Sequence, residues 1–168
     1  MRKEKGLMGK SFVHRIMFVC HGNICRSTMA EFAMRDMASR AGLANRFVIA
    51  SAATSTEEIG SDTHPGTKRV LAAHGIPVTR RAAVQLRAAD YDAYDLFIGM
   101  DSANVRNMRR MLGGDPLCKV HKLLEYAEGV DADRASDVAD PWYTGDFETT
   151  YADVTRGCEA LLAYLRGR

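Results

Sequence analysis

Long hydrophobic runs are missing from this 168-residue chain: the longest apolar stretch, Ile16-Met17-Phe18-Val19-Cys20, has five residues. A membrane helix needs about 20 and a signal-peptide core at least ~7, so neither is expected and a cytoplasmic location follows. An excess charge of one sign is also missing. Lys plus Arg is 23 against 21 for Asp plus Glu, a net +2, which argues against a nucleic-acid binder held by a basic face. Cysteine is sparse, at four residues, and without an export signal the thiols are expected to be reduced. The five histidines show no ligand spacing, so no metal or other cofactor is expected. There are only four prolines, no Pro/Gly/Ser-rich linker and no internal repeat, which leaves one domain. At 46% hydrophobic and 26% charged residues the composition is globular, and the length allows a sizeable core without disulfides.

What is present is an alternation of strands and helices. Residues 1–14 are basic and irregular and read as an extension ahead of a domain over 15–168. Ile16–Val19 suits a strand buried on both faces. Thr28-Met29-Ala30-Glu31 has the form of a capping box, and Met29, Ala33, Met37 and Ala41 then form one stripe of a helix that Gly42 ends. Phe47–Ala50 is a second strand, followed by a polar loop over Ser51–Asp62. A helix is expected over Thr63–His74, with Pro65 in its first turn and Gly75 beyond its end. Asp95–Met100 is a third strand and Ser102–Leu112 a helix stopped by Gly113-Gly114. Cys118–Leu123 is a weaker strand, and Phe147–Leu165 a closing helix with Val154, Cys158, Leu161, Leu162 and Leu165 on one face. Cys118 and Cys158 are placed in the core. The order implies an α/β fold, a three-layer sandwich with a four-stranded parallel sheet and helices on both faces. Ligands of such sheets bind outside the carboxyl ends of the strands.

The loop after the first strand, Cys20-His21-Gly22-Asn23-Ile24-Cys25-Arg26-Ser27, is therefore the first place to look for chemistry. A chain of this composition supplies Cys, Gly two later, Arg six later and then Ser or Thr roughly 0.004 times by chance. A helix N-terminus offers unpaired N–H groups and partial positive charge to a phosphate-like anion. Five residues between Cys20 and Arg26 let the backbone curl into a cup, with Gly22 and Asn23 tolerating left-handed angles. The amides, the helix dipole and Arg26 all favour thiolate over thiol at Cys20. Arg26 grips two oxygens at once, and Ser27 can donate its hydroxyl to the sulfur. Such a loop is a nucleophile inside an oxyanion cradle, with inorganic phosphate or a similar anion as its expected occupant.

Val19–Ser27 followed by Met29-Ala30-Glu31 resembles the low-molecular-weight protein tyrosine phosphatase family, whose signature is V-C-x-G-N-x-C-R-S-P-x-A-E. The likeness extends to Ser51-Ala52-Ala53, His74-Gly75-Ile76, Met100-Asp101 and Asp140-Pro141, and so covers about residues 15–166. It implies a metal-independent phosphatase that hydrolyses phosphotyrosine in proteins through a phosphocysteine. Cys20 would be the nucleophile and Arg26 the phosphate clamp. Asp140, in a D-P-aromatic-aromatic segment, would be the acid that protonates the leaving oxygen and then the base that activates water. His21, Gly22, Asn23, Ile24, Cys25 and Ser27 would bind phosphate or support the loop. Glu57, Trp142 and Tyr143 would form the substrate rim. The resemblance also implies a reversible Cys20–Cys25 disulfide.

Several positions depart from the family pattern. Thr28 replaces the usual Pro, His21 replaces a small or apolar residue, and Thr56-Glu57-Glu58-Ile59 stands where phosphotyrosine-specific members often carry an aromatic. Arg80-Arg81 stand where many members have a histidine that buttresses the loop asparagine. Arg106, Arg109 and Arg110 read as a solvated helix face. A protein-arginine phosphatase is the alternative within the family, although Ile24 replaces the Thr of that branch. Arsenate reduction lacks its resolving cysteine, since none lies between Cys25 and Cys118. A cysteine phosphoryl carrier is the alternative outside the family, and it leaves Asp140 and Arg26 unexplained.

Overall fold

The structure, a computed structural model, describes residues 12–168. The greater part of the expected N-terminal extension, residues 1–11, lies outside the described residues. Four parallel strands, β1 (His14–Cys20), β2 (Phe47–Ala53), β3 (Leu96–Gly99) and β4 (Val120–Lys122), lie in the order β2-β1-β3-β4. Strand β1 is central and buried on both faces, as its unbroken apolar run requires. It begins at His14, two residues ahead of that run. Side-chain alternation sends Ile16, Phe18 and Cys20 into one core and Met17 and Val19 into another. The first core is closed by α1 (Arg26–Arg40), α2 (Pro65–Ala73) and α7 (Phe147–Arg166), the second by α3 (Asp90–Ala93) and α4 (Ser102–Met111). The expected three layers are present.

Helix α7 buries Val154, Cys158, Leu161, Leu162 and Leu165, the face its spacing implies. Gly157 on that face lets the helix lie directly on Leu123, because a Cβ there would stand 2.4 Å from Leu123 Cγ. Helix α2 starts later than expected, at Pro65. Its cap is His64, whose Nδ1 accepts from Gly66 N at 2.9 Å. Three short helical pieces, α3, α5 (Glu125–Glu128) and α6 (Pro141–Thr144), and a 3-10 turn at Ala44–Arg46 were not expected from periodicity. Segments of about one turn carry no stripe.

Two expectations are corrected. Thr28 does not cap α1: the helix begins at Arg26 without a side-chain cap, and Thr28 Oγ1 donates back to Cys25 O at 3.0 Å. The first-turn amides are left open toward the preceding loop instead. Cys118 is exposed, in the left-handed region at φ 51°, and precedes β4 rather than lying in it. Asp115 collects the amides of Lys119 (2.7 Å) and Val120 (3.0 Å), so the chain turns sharply before it joins the sheet.

The strand order reverses direction at β1. The chain leaves β1 toward β2 and later crosses to β3 on the opposite side, so the loops after β1 and β3 diverge and leave a crevice between them.

Candidate active site

Cys20, the last residue of β1, is buried in the wall of a cavity of about 560 Å³ in that crevice. The loop after it has its carbonyls turned outward. Cys20 O accepts from Thr54 N (2.9 Å), His21 O from Ser55 N (3.0 Å) and Ile24 O from His64 N (2.8 Å). Asn23 O accepts from Arg81 Nη1 at 3.1 Å, and Cys25 O from Met29 N at 3.0 Å. Among the described residues, no backbone N–H from Gly22 to Ser27 donates to a protein acceptor. Outward carbonyls and free amides at a helix N-terminus form a cradle for an oxyanion.

Asn23 holds this curl. It alone in the loop takes a left-handed angle (φ 59°), whereas Gly22, expected to share that role, does not. Its buried amide is fully used. Nδ2 donates to Ser27 Oγ (2.8 Å) and Ser51 Oγ (2.9 Å), while Oδ1 accepts from Arg81 Nη2 (3.0 Å) and Val84 N (3.2 Å). Arg81 therefore does what a buttressing histidine would do, and its Nε also lies 3.3 Å from Oε2 of buried Glu31. Ser27 Oγ accepts from Asn23 Nδ2 and, at 3.1 Å, from the Cys20 thiol; a deprotonated sulfur would instead accept the hydroxyl hydrogen, which Asn23 leaves free.

Arg26 enters the cavity wall from the first position of α1 with its side chain only 4% exposed. Its Nη1 donates to Asp101 Oδ2 (2.8 Å) and Val138 O (3.2 Å), and its Nη2 to Asp140 Oδ2 (3.2 Å). Burial works against the guanidinium charge, but Cys20, Asp101 and Asp140 outweigh it and hold the charge more firmly than usual. Asp101 caps α4 by accepting from Asn104 N at 2.7 Å, and Asp140 caps α6 by accepting from Trp142 N at 3.1 Å. Cys25 is buried beside Cys20, and its thiol is pushed up to about 12 by burial first, then by the nearby Cys20 and Asp140.

Of the residues expected at the site, Cys20, His21, Gly22, Ile24, Cys25, Arg26, Glu57, Asp140, Trp142 and Tyr143 all line this cavity. Asn23 and Ser27 lie behind its wall, fully buried. His21 Nε2 and Glu57 Oε2 meet at the exposed rim at 3.1 Å, a pairing worth little in water. Trp142 and Tyr143 are 62% and 85% exposed, so they flank the mouth rather than anchor a loop on the core. Glu58, Asp101, Ala103, Asn104 and Asn107 also line the cavity and were missed, as were the supporting Glu31 and Ser51. Asp101 carried a usable signal, an acid at the carboxyl end of a strand three residues before an Asn. Glu31 and Ser51 stand in the stretches that carry the family likeness, but nothing in their spacing indicated that they support the loop.

Among the described residues no cluster of three or more His, Cys, Asp or Glu side chains is placed to hold a metal ion, and no helix is long and apolar enough to cross a membrane.

A family model described as low molecular weight phosphotyrosine protein phosphatase matches residues 15–168. The chain is 40% identical over 151 residues to the low molecular weight protein-tyrosine-phosphatase YfkJ of Bacillus subtilis, covering 90% of this chain and 95% of the relative. It is 32% identical over 157 residues to the human low molecular weight phosphotyrosine protein phosphatase, covering 92% and 98%. The crystal structure of YfkJ from Bacillus subtilis matches with a TM-score of 0.87 at 39% identity, covering 95% of this chain and 98% of that one. A low molecular weight protein tyrosine phosphatase from Streptococcus pyogenes matches with a TM-score of 0.79 at 38% identity, covering 91% and 93%. Likeness of this extent, in sequence and in fold together, means that the chain belongs to the low-molecular-weight protein tyrosine phosphatase family.

Proposed function

We propose that this chain hydrolyses phosphotyrosine in proteins through a phosphocysteine on Cys20. The observation that carries the reading is the cup itself: a buried thiol, amides with no protein acceptor, and Arg26 in the wall between two carboxylates. A phosphoryl group seated on Sγ has its equatorial oxygens among those amides and the Arg26 fork. The thiolate attacks phosphorus as the phosphorus–oxygen bond to the aryl group breaks, and Asp140 delivers a proton to the departing oxygen. Asp140, now a carboxylate, takes a proton from water as that water attacks phosphorus. The phosphorus–sulfur bond breaks, its electron pair returns to Sγ and inorganic phosphate leaves.

Two carboxylates flank Arg26, and Asp140 is the less tightly held and so the better placed to reach the leaving oxygen. Asp101 is tied by bonds of 2.7 and 2.8 Å, whereas those of Asp140 are 3.1 and 3.2 Å. An arriving phosphoryl group competes for Arg26 and releases Asp140 toward the leaving oxygen. Ile24 in the wall and Trp142 and Tyr143 at the mouth give an aromatic ring an apolar setting, which favours phosphotyrosine over phosphoarginine. The phosphatase domain spans residues 15–168, the stretch that the family model matches, together with His14 at the start of β1. A reducing compartment such as the cytoplasm suits a nucleophilic thiol, and no step requires nucleic acid or a membrane.

Rapid-quench trapping tests the reading. Acid-quenched enzyme mixed with radiolabelled phosphotyrosine peptide should carry label on Cys20, lost in Cys20→Ser. Steady turnover of the peptide with no labelled cysteine would refute the covalent route.

A further inference from the structure

Lys122, at the end of β4, is 2% exposed. Lysines are almost never buried to this degree unless paired, and none of the catalytic roles above uses it. Its Nζ joins two separate pieces of the molecule: it donates to Ser102 Oγ at 2.9 Å on one and to Ala135 O at 2.8 Å on the other, where it also forms an ion pair with Asp137 Oδ1 at 2.9 Å. Ser102 opens α4, directly after Asp101, which holds one side of Arg26. Ala135 and Asp137 belong to the segment that runs into Asp140, which holds the other side. Asp137 Oδ1 also accepts from Ser102 N at 3.1 Å, closing the junction.

The segment is fastened at each step from there. Val138 N donates to Met100 O (2.8 Å) and Val138 O accepts from Arg26 Nη1 (3.2 Å), while Ala139 O accepts from Thr150 Oγ1 (2.8 Å). The strap at Asp137 is the first of these, and through Lys122 it ties together the two pieces of chain that carry the carboxylates on Arg26. We infer that Lys122, acting through Asp137, is a positioning residue that sets where Asp140 stands relative to Cys20 and Arg26. This rests on the assignment of Asp140 as the general acid. A misplaced acid leaves attack by Cys20 intact and weakens proton delivery, so its effect grows as the leaving group becomes more basic.

Lys122→Met would strip a buried network, so Asp137→Ala, at a half-exposed side chain, carries the test. The readout is kcat/KM on 4-nitrophenyl phosphate, whose leaving group needs little protonation, and on phenyl phosphate, whose leaving group needs more. Asp137→Ala should lose about tenfold on phenyl phosphate and less than about twofold on 4-nitrophenyl phosphate. Asp137→Asn keeps an acceptor oxygen for Lys122 and should stay within about twofold of the parent on both. Equal losses on the two substrates, or none on phenyl phosphate, would overturn the inference while a steep leaving-group dependence in Asp140→Asn preserved the acid assignment. An Asp140→Asn enzyme with no such dependence would overturn the assignment and the inference together.

Discussion

Replacing Arg81 by Met keeps most of the side chain's length and removes its guanidinium, which is the tie between the nucleophile loop and the rest of the fold. In the structure that group donates to Asn23 O (3.1 Å) and Asn23 Oδ1 (3.0 Å), and its Nε lies 3.3 Å from Glu31 Oε2. Breaking a buried ion pair by removing one partner costs about 3–5 kcal/mol. Here Arg81 is 16% exposed, and Glu31 keeps Arg35 and Ser51 as partners, so a loss of about 2–4 kcal/mol is expected. Activity should suffer separately. Asn23 loses two of its donors, and the left-handed turn it holds is the feature that aims the amides inward. A displacement of about 1 Å in such a loop costs up to about 10²-fold, so kcat/KM on 4-nitrophenyl phosphate should fall about 10–100-fold under conditions where the variant is fully folded. Urea unfolding and steady-state kinetics on one preparation separate the two effects. Arg81→Lys, which keeps the charge without the planar fork, should fall between. If Arg81→Met unfolds at the parental midpoint with kcat/KM within about twofold, the buttress argument is wrong.

Asp140→Asn should slow turnover of phosphotyrosine peptide by about 10²–10⁴ with little change in phosphate inhibition, measured by steady-state kinetics. Iodoacetate at neutral pH should label Cys20 and exposed Cys118 but spare Cys25, held at about 12, and fully buried Cys158; phosphate should protect Cys20 alone, as read by peptide mass spectrometry. Gly157→Ala brings a Cβ to 2.4 Å from Leu123 Cγ and should destabilise by about 1–3 kcal/mol in urea unfolding. Asp62 is lowered to about 2, chiefly by its bond from Lys68, with the amides of Arg81 and Thr63 adding. A carboxylate with a depressed folded value stabilises above its unfolded value near ~3.9 and loses that contribution as pH falls toward about 2. Asp62→Asn should therefore narrow the stability difference from the parent between those limits, followed by acid titration of circular dichroism.

Much of the fold was legible because strands and helices write periodicities into adjacent residues. The apolar run at Ile16–Val19 and the α7 face from Val154 to Leu165 needed no knowledge of their partners. Boundaries were less legible, for identifiable reasons. Thr28 looks like a cap because the capping-box pattern is local, but the helix begins two residues earlier so that its first amides stay open to the cup. Cys118 reads as the start of a strand because Leu117 and Val120 close to it are apolar, yet Asp115 turns the chain there by binding amides beyond it.

The loop from Cys20 to Ser27 was determined by the sequence itself. Its chemistry depends on one thiol, one guanidinium and the six consecutive amides of Gly22 to Ser27 between a buried strand and a helix, and all of these are neighbours along the chain. The surroundings of that loop were decided only by the tertiary structure. Arg81 lies 58 residues from Asn23, and Asp101 lies 75 residues and Asp140 114 residues from Arg26. A hydrogen bond depends on distance and direction in space, so each of these pairings waits on the crossovers that bring the carboxyl ends of the strands to one edge of the sheet.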